Sequence, residues 1–242
     1  MKTPMHIIAL RTIKHNERSS ILTAFSLEAG RVAFALPAGG GREAIRRRAL
    51  LMPLSAVECV ADTRRGTDIL LMHEPRPMSA APSAIHGNPV KSSLALFSAE
   101  VLGSVLRESG PDEGLFAYIY NCMEVLSALP SERTANFHIM MLMGLGRFIG
   151  IDPRTEDFRP GMVFDMAEGR FRASPPLHRH YLPPADAEAV ARLSRMTPAN
   201  MHLYRMTRAE RSRILDLILD YYSLHVASLK SLKSLDILRT LF

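Results

Sequence analysis

The chain has 242 residues, is 47% apolar and carries a formal net charge of +6 with only two cysteines. That apolar content suffices for one large or two small cores, and Cys59 and Cys122, each inside an apolar run, exclude a disulfide framework and fit a reducing cytosol. Met1 to Leu10 has no signal-peptide pattern, and the longest apolar stretch, Ile139 to Ile151, contains Arg147 and falls short of the roughly 20 residues of a membrane-spanning helix, so a cytoplasmic protein with no membrane partner is expected.

Period-two or β-rich runs at His6 to Ile13, Ile21 to Leu27 and Val32 to Leu36 read as strands. Glu28-Ala29-Gly30-Arg31 is a hairpin signal whose glycine can take positive φ. A triple glycine, Gly39 to Gly41, then leads into Arg42, Arg46, Arg47 and Arg48, with room for a short helix from Glu43 to Leu50. Further strands are expected at Leu54 to Val60 and Asp68 to His73. Residues 1–80 hold 12 Lys/Arg against 7 Asp/Glu, a net +5 of the chain's +6. A basic first third points to a polyanion, and arginines at this density to phosphate.

Five short strands with a longer connection after the third are the strand economy of an OB barrel, whose loops and one face bind single strands with cations and stacking platforms. Phe25 and Phe34 are candidate platforms, although core packing is the more usual role for each. Residues 1–80 are therefore read as an OB domain and 81–242 as a helical domain, an α+β chain. Arg76 to Pro89, rich in Pro, Ser, Ala and Gly, reads as the linker.

Asn88-Pro89 is an N-cap followed by a first-turn proline, opening a helix to Glu108; a second fits Asp112 to Leu129 and a third Glu132 to Phe148. The third carries a methionine stripe at helical spacing, which fits ordinary core and also an adaptable groove. Residues 152–184 hold six prolines and a possible hairpin around Ala167-Glu168-Gly169-Arg170, and read as an irregular flap. There His178 and His180 lack the further ligands a metal requires. Thr207 and Glu210 form a capping box for a helix whose apolar face is Ile214, Leu217, Ile218, Tyr221 and Tyr222. The end, with Leu229, Leu232 and Leu235, reads as a helix or turn docked by its leucines.

Several stretches together resemble the RecO family of bacterial recombination mediators: Ile8 to Thr12, Thr23 to Ser26 with Gly30 to Val32, Ala49 to Leu54, Phe137 through Gly146, and the terminal Tyr222, His225, Leu229, Lys230, Ser231 and Leu232. The resemblance implies an OB domain followed by a helical domain that binds single- and double-stranded DNA, anneals complementary strands and helps load RecA. Implied partners are RecR and single-stranded DNA-binding protein (SSB), with a functional link to RecF. Many members carry a four-cysteine zinc module where this chain, at Arg159 through Pro184, has no cysteine, so no metal or other cofactor is expected. The family's Lys-Gly-Ala-Arg loop is replaced by Leu36 to Arg42, which moves the charge later. The expected DNA contacts are Arg11, Lys14, Arg18, Arg42, Arg46, Arg47 and Arg48. For the acidic, phenylalanine-terminated SSB tail, the expected pocket is Met140, Met141 and Leu145, with Arg133 or Lys230 for the carboxylate.

No phosphate loop, nucleophile elbow, His-Glu-x-x-His or paired-cysteine motif occurs, so no enzyme is expected. Asp216 and Asp220, four apart on a helix, flank an apolar stripe. The alternative reading is an RNA-binding OB module with a helical adaptor.

Overall fold

A computed structural model describes residues 2–63, 68–226, 229 and 232–241. β1 (Lys2–Lys14), β2 (Ser19–Ser26), β3 (Gly30–Pro37), the helix α1 (Arg42–Leu50), β4 (Ala56–Asp62) and β5 (Ile69–Pro77) form a closed barrel of order β1-β2-β3-β5-β4. Its pairs are antiparallel except β3 with β5. This is the OB barrel that the strand count called for. Alternate residues Met5, Ile7, Ala9, Leu22, Ala24, Phe34, Val57, Cys59 and Ala61 fill the interior, the period-two pattern of a sheet closed on itself.

β1 serves two partners, β4 along Lys2 to Ile8 and β2 along Ile7 to Lys14, with a register shift between Ala9 and Arg11. Without that bulge at Leu10, Arg11 would follow Met5, Ile7 and Ala9 into the core; with it, Arg11 lies opposite the outward Thr23. Beside the bulge, Ala9 is held by Leu54 and Ser55: Ala9 N–H donates to Ser55 O at 2.9 Å and Leu54 N–H to Ala9 O at 2.8 Å. Leu54 is fully buried with φ of 58°, so β4 begins two residues later than the sequence pattern predicts. That conformation costs roughly 1–2 kcal/mol for a residue with a Cβ.

The outer side of the barrel next to the β2–β3 hairpin is covered by helices. α2 (Ala81–His86), α3 (Pro89–Val105) and α4 (Glu113–Ala128) belong to the same compact unit as the barrel, residues Met1–Ser131 joined by Leu232–Leu241. Phe25, outward on β2 and fully buried, stacks on Phe116 of α4 with centroids 6.4 Å apart. The expected linker is thus partly a helix: Ser79 Oγ accepts from Ala81 N–H, Pro82 sits in the tolerant first turn, and Ala81, Pro82 and Ile85 are buried. Asn88 caps α3 by accepting from Val90 and Lys91 N–H, as its sequence signal predicts.

The second compact unit, Glu132–Ser231, contains α5 (Phe137–Phe148), the three-stranded sheet β6 (Val163–Asp165), β7 (Arg170–Arg172) and β8 (Tyr181–Leu182), then α6 (Pro184–Leu193) and α7 (Arg208–His225). α5 starts five residues later than its periodicity predicts. Asn136 is buried and its amide donates to the carbonyls of Met201 and Tyr204, which holds the preceding backbone out of the helix. The expected irregular flap has an ordered centre. β6 and β7 form the predicted hairpin with Gly169 at φ of 64°, and Phe164 packs against Phe171 at 5.0 Å and Tyr221 at 5.7 Å. α7 has the predicted capping box; its buried face is Leu215, Ile218, Leu219, Tyr221 and Tyr222, while the expected Ile214 and Leu217 are half-buried.

The chain then returns to the first unit through α8 (Ser234–Leu241), where Leu232, Leu235 and Leu238 are buried. Glu100 of α3 caps this helix by accepting from Lys233 N–H, Ser234 N–H and Ser234 Oγ. Burial pushes the Glu100 carboxyl up, but the Ser234 and Lys233 hydrogen bonds and the Arg11 charge outweigh it and hold its pKa below the ordinary value.

Gly30 has φ of 68°, and a Cβ there would lie 2.3 Å from both Ser109 O and Gly110 C. Gly30→Ala should therefore lower stability by about 2 kcal/mol or more, read as the urea midpoint, whereas Gly161→Ala, with φ of 88° but open space around it, should cost only about 1 kcal/mol.

Candidate nucleic-acid interface

The basic residues of the barrel converge through its loops. Between β1 and β2, Asn16 Oδ1 accepts from Arg18 N–H at 2.8 Å and Ser19 Oγ at 3.0 Å, a side-chain turn that fixes the loop. Arg18 O accepts from Ala38 N–H at 2.8 Å. That bond holds the loop carrying Lys14 and Arg18 against the segment that leads through Gly39 to Gly41 into α1. Six of the seven expected DNA contacts lie in these neighbouring stretches, and the seventh, Arg11, follows the bulge on β1, three residues before Lys14.

α1 divides its arginines. Consecutive helical residues point about 100° apart, so Arg46, Arg47 and Arg48 fan around the axis and cannot meet one strand together. Arg42 and Arg46, four apart, share an exposed face. Arg47 is half-buried and pairs with Glu43 at 3.2 Å. Arg48 donates to Gly39 O at 2.8 Å and lines a separate groove with Arg11. Arg42, Arg46, Lys14 and Arg18 are the members left to face a backbone.

One row of the barrel's outward face is aliphatic. Ile13 pairs with Ile21, Ile21 with Ala35 and Ala35 with Leu71, one row across four strands. Ile13, Ile69 and Leu71 are 44%, 39% and 48% exposed. Strand periodicity in the sequence did not separate these residues from core positions; the signal was their phase relative to Leu22 and Phe34, which only the pairing register fixes. Phe25 and Phe34 are both fully buried and cannot act as platforms. Their solvent-free surroundings, Phe116 for one and the barrel core for the other, account for both.

In the second unit, Met140, Met141 and Leu145 are buried core residues at 2%, 2% and 0% exposure. Arg133 lies in a different hollow, with Arg205, Arg211 and Glu210, and Lys230 lies outside the described residues. Arg211 Nε donates to Asn136 Oδ1 at 3.1 Å. Beside it His138 is fully enclosed, and burial, followed by the Arg211 charge, pushes its pKa down to about 3. A small apolar cavity of about 40 Å³ lies instead along the other side of α5, at Met143 and Gly146, against Val190 of α6 and Ile214 and Leu217 of α7.

His178 and His180 lie with ring centroids 6.1 Å apart. The nearest carboxylate, Asp165, is fully buried and accepts from Arg172 Nη1 at 3.0 Å, from Ala167 and Glu168 N–H at 3.1 Å each, with His178 Nε2 3.3 Å away. Both its oxygens are committed to these donors, so the residues present do not fit a zinc site. Among the described residues no group of three or more His, Cys, Asp or Glu is arranged to hold a metal.

A closed OB barrel followed by helices places the chain in a class whose barrels bind oligonucleotides or oligosaccharides. Comparison with known proteins is specific. The family model for the recombination protein O N-terminal domain matches residues 1–77 and that for its C-terminal domain matches residues 86–236. DNA repair protein RecO of Phocaeicola vulgatus is 37% identical over 97% of both chains, that of Bacteroides fragilis 36% over 97%, and that of Porphyromonas gingivalis W83 33% over 97%. The chain belongs to the RecO family of DNA repair proteins. No helix among its described residues is long and apolar enough to cross a membrane.

Burial would raise the Asp165 pKa, but the Arg172 hydrogen bond, the Glu168 N–H, the His178 charge and the Ala167 N–H hold it below the usual carboxylate range. A depressed pKa gives stability that is present above the unfolded value of about 3.9 and is lost as pH falls through the folded value. Asp165→Asn should destabilise the chain by about 1–3 kcal/mol at neutral pH in urea unfolding, and the deficit should shrink below about pH 4 as the wild type protonates.

Proposed function

We propose that this protein binds single-stranded DNA on its barrel, anneals complementary strands and, with RecR, helps load RecA onto SSB-coated DNA. The observation that carries the reading is the combination of loop and α1 cations with an aliphatic row across the outer sheet face. Aromatic stacking holds each base by about 1–3 kcal/mol in ordinary single-strand binders. A surface that neutralises phosphates without stacking bases leaves base edges free to pair, and lowers the repulsion between two strands. No covalent chemistry is required, and the protein acts as a mediator in the cytoplasm, without enzyme activity, on single- and double-stranded DNA. Residues 1–80 are the DNA-binding domain in this reading and 81–242 the domain that meets protein partners. A link to RecF follows from the family.

For the SSB tail, we propose the open side of α5 in place of its buried side. The half-buried Met143 side chain moves aside to let the terminal aromatic ring into this small cavity. Arg147, which follows lining residue Gly146 and donates to Ser194 O at 3.2 Å, is the nearby cation for the carboxylate.

Fluorescence-quenching annealing of complementary oligonucleotides, bare and coated with SSB from the same organism, tests the function. Acceleration is expected in both cases; none in either would favour an RNA-binding module, tested in turn by competition between DNA and RNA of equal length. With about four phosphates neutralised, log affinity should fall against log salt with a slope near −3. Arg42→Ala with Arg46→Ala should flatten that slope to about half, while Arg47→Ala, already paired with Glu43, should leave it nearly unchanged. Met143→Glu should abolish acceleration on SSB-coated strands and preserve it on bare ones.

A further inference from the structure

The first unit contains a groove that strand binding on the barrel does not use. It has about 1200 Å³ of empty space including its open mouth, and is assembled from the bulged end of β1, the segment after α1, α3 and α8. Its floor and walls are aliphatic: Leu10, Leu36, Leu51 and Pro53 from the barrel side, Leu96 from α3 and Ile237 from α8. Leu96 is 41% and Ile237 49% exposed, although both stand on helices whose other faces are packed. Three cations rim it, Arg11, Arg48 and Lys233, each with an exposed side chain. The one carboxylate, Glu100, is occupied by three donors at the start of α8.

We propose that this groove is a docking site for an acidic peptide segment of a partner protein, one that carries large apolar side chains between its carboxylates. Charge complementarity selects the acidic chain, because three cations face a mouth whose single carboxylate is already hydrogen-bonded. The walled floor selects peptide over nucleic acid: a phosphodiester backbone gains nothing from Leu, Ile, Met and Pro side chains on several sides of it, whereas a peptide buries its aliphatic or aromatic anchors against them. The groove is complete only when α8 is docked, since Lys233 and Ile237 come from it. The Glu100 cap therefore supports the site as well as the helix. This site is separate from the α5 cavity proposed for the SSB tail and from the cations of the β1–β2 loop.

The test uses the full chain and a fluorescein-labelled acidic dodecapeptide with two leucines and a phenylalanine set among aspartates, followed by anisotropy. Saturable binding is expected, weakened about tenfold or more by Leu96→Glu, Ile237→Glu or Lys233→Glu, and lost when the peptide's apolar residues become serine. The variants should keep wild-type affinity for oligothymidylate, which verifies their fold. As a second readout, methyl resonances of Leu96 and Ile237 in the unaltered protein should shift on titration with the peptide. Unshifted methyls, undiminished affinity in the variants, or equal binding of the serine peptide would overturn the proposal. So would stoichiometric displacement of the peptide by oligothymidylate, which would assign the groove to DNA.

Discussion

The bulge at Leu10 is the constraint on which the rest of the barrel depends. It lets one strand pair with β4 along its first half and with β2 along its second, which closes the sheet and removes its edges. It also reverses the inward and outward phase of β1, so that Arg11 meets solvent where the preceding alternation would bury it. The strained backbone of Leu54 is tied to the same point through its hydrogen bond to Ala9. A local irregularity thus determines both closure of the core and placement of a functional cation.

The electrostatic design follows from helix geometry. A run of arginines in sequence becomes a fan in space once it is wound into α1, and its members acquire different surroundings: Arg47 an ion pair, Arg48 a backbone carbonyl, Arg42 and Arg46 open solvent. The neighbouring β1–β2 loop extends the exposed pair into a basic surface because one backbone hydrogen bond, Ala38 to Arg18, holds the two segments together. Beside that surface the sheet offers a row of aliphatic side chains, which favours contact with the backbone over contact with bases.

In the second unit, buried polar groups set the irregular structure. Asn136 satisfies two carbonyls and the Arg211 guanidinium, and Asp165 gathers the β6–β7 turn, Arg172 and His178. Such hubs are strong when every donor and acceptor is met, since an unmet buried partner costs about 1–3 kcal/mol. The same saturation leaves Asp165 without capacity for a metal. Hydrogen bonding therefore cross-links the small proline-rich segment alongside its aromatic cluster of Phe158, Phe164 and Phe171.

The sequence by itself determined the five strands, the positive-φ turn at Gly30, the caps at Asn88 and Thr207, the docking of the terminal leucines and the basic character of the first third. Each is a local property: alternation, a residue that tolerates one backbone region, a side chain placed to reach its neighbours, a count of charges. The helix at Ala81–His86 and the late start of α5 were less legible, because proline tolerance in a first turn and the distant partners of Asn136 outweigh local composition. Only the tertiary structure decided which residues of an apolar run face water. Met140, Met141 and Leu145 were readable as a stripe that fits ordinary core, but the stripe does not tell its buried members from Met143, which on the same helix borders a cavity made with α6 and α7. Exposure of Ile13 and Leu71 and burial of Phe25 likewise depend on pairing register and on which helix covers which sheet face, and these are set by contacts between residues far apart in the chain.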